Sequence, residues 1–250
     1  MSKVAVVTGA ASGIGLAVSI RLIEKGFRVY ALDCNAEALQ RNTENSNEFQ
    51  YVPMSCDVCK LEEVQLCFQR IAIHERHIDV LFNGVGWMKF GGLLDVEISE
   101  WNKAFSSNIM TAVHCIKEAV PLLKKSQNSP SIINLSSILG DIHEHRAMLY
   151  CLTKSMLTEL TRCLAKELAP DRIRVNAILP GSVQTQFINT LVTDAKSVKG
   201  GPQMLMELSH VPLGRLGTTE DIASLVIYLA SEQAEFLTGT CIPVDGGWSL

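Results

Sequence analysis

Short apolar runs alternate along the chain with longer segments in which apolar residues recur every three to four positions. The short runs cover residues 4–7, 27–32, 49–52, 78–82, 131–135, 173–179 and 241–244. Apolar residues dominate them without strict alternation, so each reads as a strand buried on both faces. The periodic segments, predicted helices, cover 14–25 (closed by Gly26), 61–76, 99–125, 147–168 and 219–231. Doubly buried strands, each followed by a helix, imply a parallel sheet with helices on both sides. No Pro/Ser-rich stretch, composition shift or repeat marks a linker. The predicted fold class is therefore α/β: a single doubly wound Rossmann-type domain over residues 1–250, with about seven parallel strands.

One segment breaks the alternation. After Leu179-Pro180-Gly181 no clear helix follows until Thr219. A connection that long in a compact domain usually serves binding. Residues 183–217 are predicted to form a substrate lid, with a break at Gly200-Gly201-Pro202 ahead of the apolar Met204-Leu205-Met206.

The 250 residues carry 26 acidic and 22 basic side chains, a formal net charge of −4. Mild acidity argues against a nucleic-acid or anionic-membrane partner. No apolar run approaches the roughly 20 residues of a bilayer crossing. The start, Met1-Ser2-Lys3 running into a short apolar stretch, lacks the core of a secretory signal, so the expected location is cytoplasmic. The eight cysteines are then expected to be reduced and packed as small hydrophobes. Cys56-Asp57-Val58-Cys59 has no second ligand pair, and His143 and His145 have no carboxylate-rich partner motif. No metal is predicted.

The first strand runs into Thr8-Gly9-Ala10-Ala11-Ser12-Gly13-Ile14-Gly15, where a helix begins. Glycines serve where a chain turns tightly, where backbone must approach a pyrophosphate, and where a helix lies close to a strand. The helix N-terminus then offers free N–H groups to phosphate. Glycine clusters also end ordinary strands; the position between strand and helix is what points to a dinucleotide. Asp33 ends the second strand, where a carboxylate bonds the adenosine ribose and repels the extra phosphate of NADP. No Arg or Lys stands at Ala10, Ala11, Ser12 or Cys34 to offset it, so the predicted cofactor is NAD. Asp33 is also a candidate cap for a helix near Asn35, and Asp57 a candidate for the adenine edge.

Tyr150 and Lys154 lie four apart on one helix face. A cation beside a phenol favours phenolate and is expected to pull the tyrosine pKa down, toward the range useful for acid/base work. Ser137 ends the fifth strand, at the edge where such sheets bind ligands. A Tyr-x-x-x-Lys pair alone is common on solvated helices. Together with the glycine loop, Asp33 and Ser137 it is not.

In these residues the chain resembles the short-chain dehydrogenase/reductase family over essentially its whole length. The match takes in residues 8–15, Asn108 in the predicted helix over 99–125, Ser137, Tyr150, Lys154, Pro180-Gly181 with Thr185, Thr238-Gly239 and Asp245-Gly246-Gly247. It departs at Asn83-Gly84-Val85-Gly86, where the family usually has Asn-Asn-Ala-Gly, which puts one structural hydrogen bond in doubt. The resemblance implies an NAD(H)-dependent oxidoreductase for a secondary alcohol or hydroxy acid and its ketone. Tyr150 would exchange the proton, Lys154 would lower its pKa and hold the nicotinamide ribose, Ser137 would bond the carbonyl oxygen, and Asn108 would anchor a relay water. Implied cofactor contacts are Gly9, Ser12, Gly13, Ile14, Gly15, Asp33, Asp57, Val58, Asn83, Gly84, Tyr150, Lys154, Pro180, Gly181, Val183 and Thr185.

The stretch Asp79–Asn83 and the ending Val244–Leu250 are similar to the cytosolic type of 3-hydroxybutyrate dehydrogenase. That points to a small hydroxy acid such as 3-hydroxybutyrate. Arg146, His145, Gln184 and Trp87 are candidate substrate contacts, Arg146 as a bidentate clamp on a carboxylate or as a solvated loop arginine. A 3-oxoacyl-carrier-protein reductase is the alternative within this class, although it normally uses NADPH. A non-enzymatic dinucleotide-sensing protein would not need Tyr150, Lys154, Ser137 and Asn108 together, and a methyltransferase would leave the Tyr/Lys pair without a role. Finally, apolar residues cover well over half the circumference of segment 147–168, and Ile109, Met110, Ala112, Val113, Cys115 and Ile116 widen the stripe of 99–125. Such surplus predicts a two-fold contact between subunits. The resemblance extends it to a homotetramer, with residues 241–250 at a second interface.

Overall fold

The computed structural model of the protein describes residues 3–44, 50–188 and 211–250. Its strands are β1 Lys3–Thr8, β2 Phe27–Asp33, β3 Tyr51–Ser55, β4 Val80–Asn83, β5 Ser131–Leu135, β6 Arg174–Pro180 and β7 Cys241–Val244. They form one parallel sheet in the order β3-β2-β1-β4-β5-β6-β7. Pro53 and Pro243 fall in the two edge strands, where a missing N–H removes no interior ladder bond. Alternation along each strand feeds two cores. Val4 and Val6 pack with α3 Leu61–His74, α5 Thr111–Leu123 and α6 Met148–Leu168. Ala5 and Val7 pack on the other side with α1 Gly13–Glu24, α2 Ala36–Glu44 and α7 Thr219–Leu229. β1 neighbours both β2 and β4, so strand order reverses there, and a crevice opens at the carboxyl edge.

The predicted helix over 99–125 is three pieces: α4 Ile98–Phe105, a π-helical turn Ser106–Met110, and α5. A π turn inserts a residue into the helical ladder and re-aims its side chains. Here it turns Asn108 into the interior, where the residue is 1% exposed. At the long excursion, Val183 bridges Gly217, the Gln184 N–H donates to Gly217 O (2.8 Å) and the Gly217 N–H to Ser182 O (2.9 Å). The two ends are thus tied at one root. Of the lid predicted over 183–217, residues 189–210 lie outside the described residues.

All eight cysteines are free thiols. Cys56, Cys67, Cys115 and Cys151 are buried as expected, but Cys34 and Cys163 are exposed, because each falls on a solvent-facing position of its segment. Among the described residues no three His, Cys, Asp or Glu side chains converge as a metal site, and no helix is long and apolar enough to cross a membrane. On α6, Leu152 and Met156 remain exposed beside the buried stripe.

Candidate active site

A cavity of about 410 Å³ lies along the carboxyl edge, from the end of β2 to the start of α6. At one end the glycine loop closes on α1. Gly9 adopts φ +68°, and a Cβ at Gly15 would lie 2.1 Å from the Gly9 carbonyl oxygen. The loop therefore presents bare backbone to the cavity, as a pyrophosphate requires. Asp33 faces the same space: its Oδ2 accepts the Ala11 N–H (3.1 Å) and its Oδ1 the Asn35 N–H (2.9 Å). The α2 cap is Asn35, whose Oδ1 accepts the Ala38 N–H at 3.0 Å. Asp33 is thus not the helix cap, and its carboxylate is held at the cavity wall. Ser12, Gly13, Ile14, Asp57 and Val58 also line this end, with Cys34, Cys56 and Cys59 beside them. These surroundings fit an adenosine diphosphate moiety.

In the middle, Gly84 lines the cavity and Asn83 does not. The expected contact at Asn83 fails because its side chain turns into the sheet, where Nδ2 donates to Asn134 Oδ1 at 2.8 Å. Asn134 in turn donates to Thr161 of α6. Glycine at 84 has a physical reason as well. A Cβ there would lie 2.6 Å from the Phe82 ring and 2.7 Å from Thr8 O. The β1–β4 link runs instead through the Thr8 hydroxyl: the Gly84 N–H donates to Thr8 Oγ1 (3.0 Å), which donates to Phe82 O (3.4 Å).

Ser137, Tyr150 and Lys154 meet at the other end, where β5 ends and α6 begins. The register pairs Leu135 with Ile178, so Ser137 and the Pro180–Thr185 turn leave the sheet side by side. Lys154 Nζ donates to Leu135 O (2.7 Å) and sits 5.5 Å from the Tyr150 ring centre. Burial lowers the Lys154 pKa to about 8. Burial raises the Tyr150 phenol above its ordinary value, against a smaller lowering by its hydrogen bond to Ser137. The expected downward shift does not occur, because the ammonium lies over the ring and desolvation outweighs the hydroxyl contact. Asn108 lies behind Lys154 rather than on the cavity. Its Oδ1 accepts the Trp87 N–H (2.6 Å) and its Nδ2 donates to Trp87 O and Thr153 Oγ1 (2.8 Å each). Its side chain therefore fixes the chain after β4.

A family model described as Enoyl-(Acyl carrier protein) reductase matches residues 9–249. The 3-oxoacyl-acyl-carrier-protein reductase FabG of Staphylococcus aureus is 34% identical over 251 residues, covering 99% of this chain and 98% of that protein. Dehydrogenase/reductase SDR family member 6 of Rattus norvegicus is 33% identical, covering 99% and 98%. The chain belongs to the short-chain dehydrogenase/reductase family. In fold it is similar to the ligand-free aldohexose dehydrogenase of Thermoplasma acidophilum, with TM-score 0.85 and 30% identity over 99% of this chain and 94% of that one. Family members use a nicotinamide dinucleotide, and this dehydrogenase/reductase is an oxidoreductase acting on CH–OH groups.

The four substrate contacts expected from sequence do not line the cavity of this dehydrogenase/reductase. Arg146 adopts φ +63° and pairs with Asp95 (2.9 Å), so its guanidinium is engaged outside the cavity lining. His145 is exposed, and so is Gln184 at the root of the excursion. The Trp87 ring packs near Val96, Ala104 and Leu149 under Lys103 (4.8 Å). The wall beside Tyr150 is instead Met88, Phe90, Leu139, Phe187, Ile188 and Trp248. These follow β4, β5, β6 and β7, each within a few residues of a motif. Met88 and Phe90 alternate after Gly86, Leu139 is two past Ser137, and Phe187 is two past Thr185. That spacing is the signal that would have found them.

Proposed function

We propose that this enzyme interconverts a ketone and its secondary alcohol with NAD(H), on a 3-oxoacyl or 3-hydroxyacyl group carrying an apolar chain. The observation that carries this reading is the apolar wall beside Tyr150, where Lys154 is the one cation among the described residues lining the cavity. Among the described residues lining the cavity, a free carboxylate such as that of 3-hydroxybutyrate would meet no cation but that ammonium, which Leu135 O already engages. The similarity to 3-oxoacyl reductases supports the acyl reading better than the hydroxy acid expected from sequence.

When bound, the cofactor supplies or takes the hydride. Tyr150 gives or takes the proton at the substrate oxygen, Ser137 orients that oxygen by hydrogen bonding, and Lys154 carries the nearby positive charge. Asn108 holds the chain carrying Met88 in place. The Phe187 ring, 6.5 Å from that of Tyr150, supports a role for the 183–217 excursion as a lid that excludes water. The preference for NAD rests on Asp33, whose carboxylate would meet the 2′-phosphate of NADP.

Steady-state rates with NADH and NADPH test the reading, using 3-oxoacyl thioesters of increasing chain length and 3-hydroxybutyrate in reverse. The expected result is kcat/KM rising with chain length, preference for NADH, and a narrowed preference in Asp33→Ser. A preference for 3-hydroxybutyrate, or for NADPH in the unaltered protein, would overturn it. We also propose a homotetramer in the cytoplasm, supported by the exposed Leu152 and Met156 on α6 and Met110 beside α5. Light scattering should then give close to four times the 27.4 kDa chain mass; an active monomer would refute it.

A further inference from the structure

The segment that follows β4 is held at two points. At its start the Trp87 N–H and carbonyl are both bonded by Asn108, which also donates to Thr153 of α6. Further on, the Gly91 N–H donates to the carbonyl of Arg146 at 2.8 Å. Met88 and Phe90, which line the cavity beside Tyr150, lie between these points. Side chains reinforce the second one. Arg146 Nη2 donates to Asp95 Oδ2 (2.9 Å), and the same oxygen accepts the Gly92 N–H (3.0 Å). The Asp95 N–H in turn donates to Gly92 O at 3.0 Å, so residues 92–95 form one closed turn. Arg146 therefore grips this turn with both its backbone and its guanidinium.

It does so with a backbone φ of +63°, in the left-handed region that residues with a Cβ seldom adopt. Such a conformation persists only where the surroundings fix it. The neighbours show what is being fixed. Ala147, the next residue, is buried with Met88, Phe90, Leu139 and Cys151 in one apolar cluster, and Tyr150 packs against it. Val96, just past the turn, is buried with Leu149 of α6. We propose that Arg146 is a positioning residue: without touching the substrate, it clamps the far end of the Met88–Phe90 wall to the start of the helix that carries Tyr150. Released at Gly91, the segment keeps its Asn108 anchor at Trp87 and the Lys89–Glu100 pair to α4 (3.3 Å). The Phe90 end is then the part set free to shift, and substrate binds less well. That an apolar acyl chain lies on this wall rests on the reading above; the clamp itself does not.

The test reads hydrogen exchange, melting temperature and kinetics together. Arg146→Ala should speed amide exchange across residues 87–96 in the ligand-free protein. It should also raise KM for the ketone by about two- to fivefold, the scale of an exposed ion pair, with kcat and NADH affinity unchanged. Arg146→Gly separates position from stability. Glycine adopts positive φ without strain, so its melting temperature should stand at or above that of Arg146→Ala while the KM defect remains. A merely structural role would make KM follow the melting temperature. Arg146→Lys should bring KM back near the unaltered value, since an ammonium can make the one bond to Asp95 Oδ2. Adding Asp95→Ala to Arg146→Ala should change KM little further, because the two act as one unit. Unchanged exchange across 87–96, an unchanged KM, or a KM that recovers in Arg146→Gly would overturn the proposal. Exchange and melting need no substrate. A KM rise equal for a short ketone and a long 3-oxoacyl thioester would uphold the clamp and count against the acyl reading alone.

Discussion

Tyr150→Phe is expected to lower turnover by about 10²–10⁴-fold, the usual contribution of a positioned acid or base. At about 1.4 kcal/mol per decade this is roughly 3–5.5 kcal/mol of transition-state stabilisation. NADH affinity should change little, because the ring stays in place under Phe187 and over Lys154 and only the hydroxyl is lost. The pH dependence has a defined sign. Burial holds the phenol above its ordinary pKa, so it stays protonated through neutral pH. Ketone reduction, which needs the protonated form, should be flat there in the unaltered enzyme. Alcohol oxidation, which needs the deprotonated form, should rise with pH. Steady-state rates in both directions check this. A variant within tenfold of the unaltered enzyme would remove Tyr150 from the proton step.

Gly15→Ala should weaken dinucleotide binding by about 10- to 100-fold although alanine is the better helix former. Gly15 is the third residue of α1, where propensity alone favours alanine by about 0.8–1 kcal/mol. Against that, the new methyl would lie 2.1 Å from Gly9 O and 2.6 Å from Gly9 C, both backbone atoms that cannot rotate away. Overpacking against rigid neighbours costs about 1–3 kcal/mol or more, so the clash wins. α1 must then lift off the loop, and its N-terminal N–H groups leave the phosphate position. One charge-assisted bond lost is about 1.5–3 kcal/mol, on the order of 10- to 100-fold in affinity. Isothermal titration with NADH and a melting curve should show both losses. Gly26→Ala is the control. Its φ of +82° makes alanine strained, but no atom lies within 4 Å of the added Cβ. It should therefore lower the melting temperature and leave NADH affinity unchanged.

Short-range pattern explains why so much of this site could be read from the chain. The glycine loop needs backbone exposure over eight consecutive residues, and Tyr150 with Lys154 needs only one helical turn, so both are written locally. Asp33 was legible because a strand end brings it to the glycine loop in any fold of this order. Asn83 was misread for the opposite reason. Its side chain is taken by Asn134, 51 residues away on β5, and the glycine beside it answers to the Phe82 ring. Arg146 lies four residues before Tyr150, yet its left-handed backbone and the ion pair to Asp95 hold it outside the cavity lining.

Apolar periodicity by itself determined the order of strands and helices, because burial on both faces forces a parallel, doubly covered sheet. Local motifs marked the glycine loop, Tyr150, Lys154 and Ser137, which the fold brings to one cavity. Only the tertiary structure decided the polarity of the substrate end, since its wall is assembled from four segments that follow different strands. It also decided the direction in which the Tyr150 pKa moves. Desolvation depends on what surrounds a group rather than on its neighbours in sequence, and here it moves the Tyr150 phenol up where a nearby lysine alone would move it down.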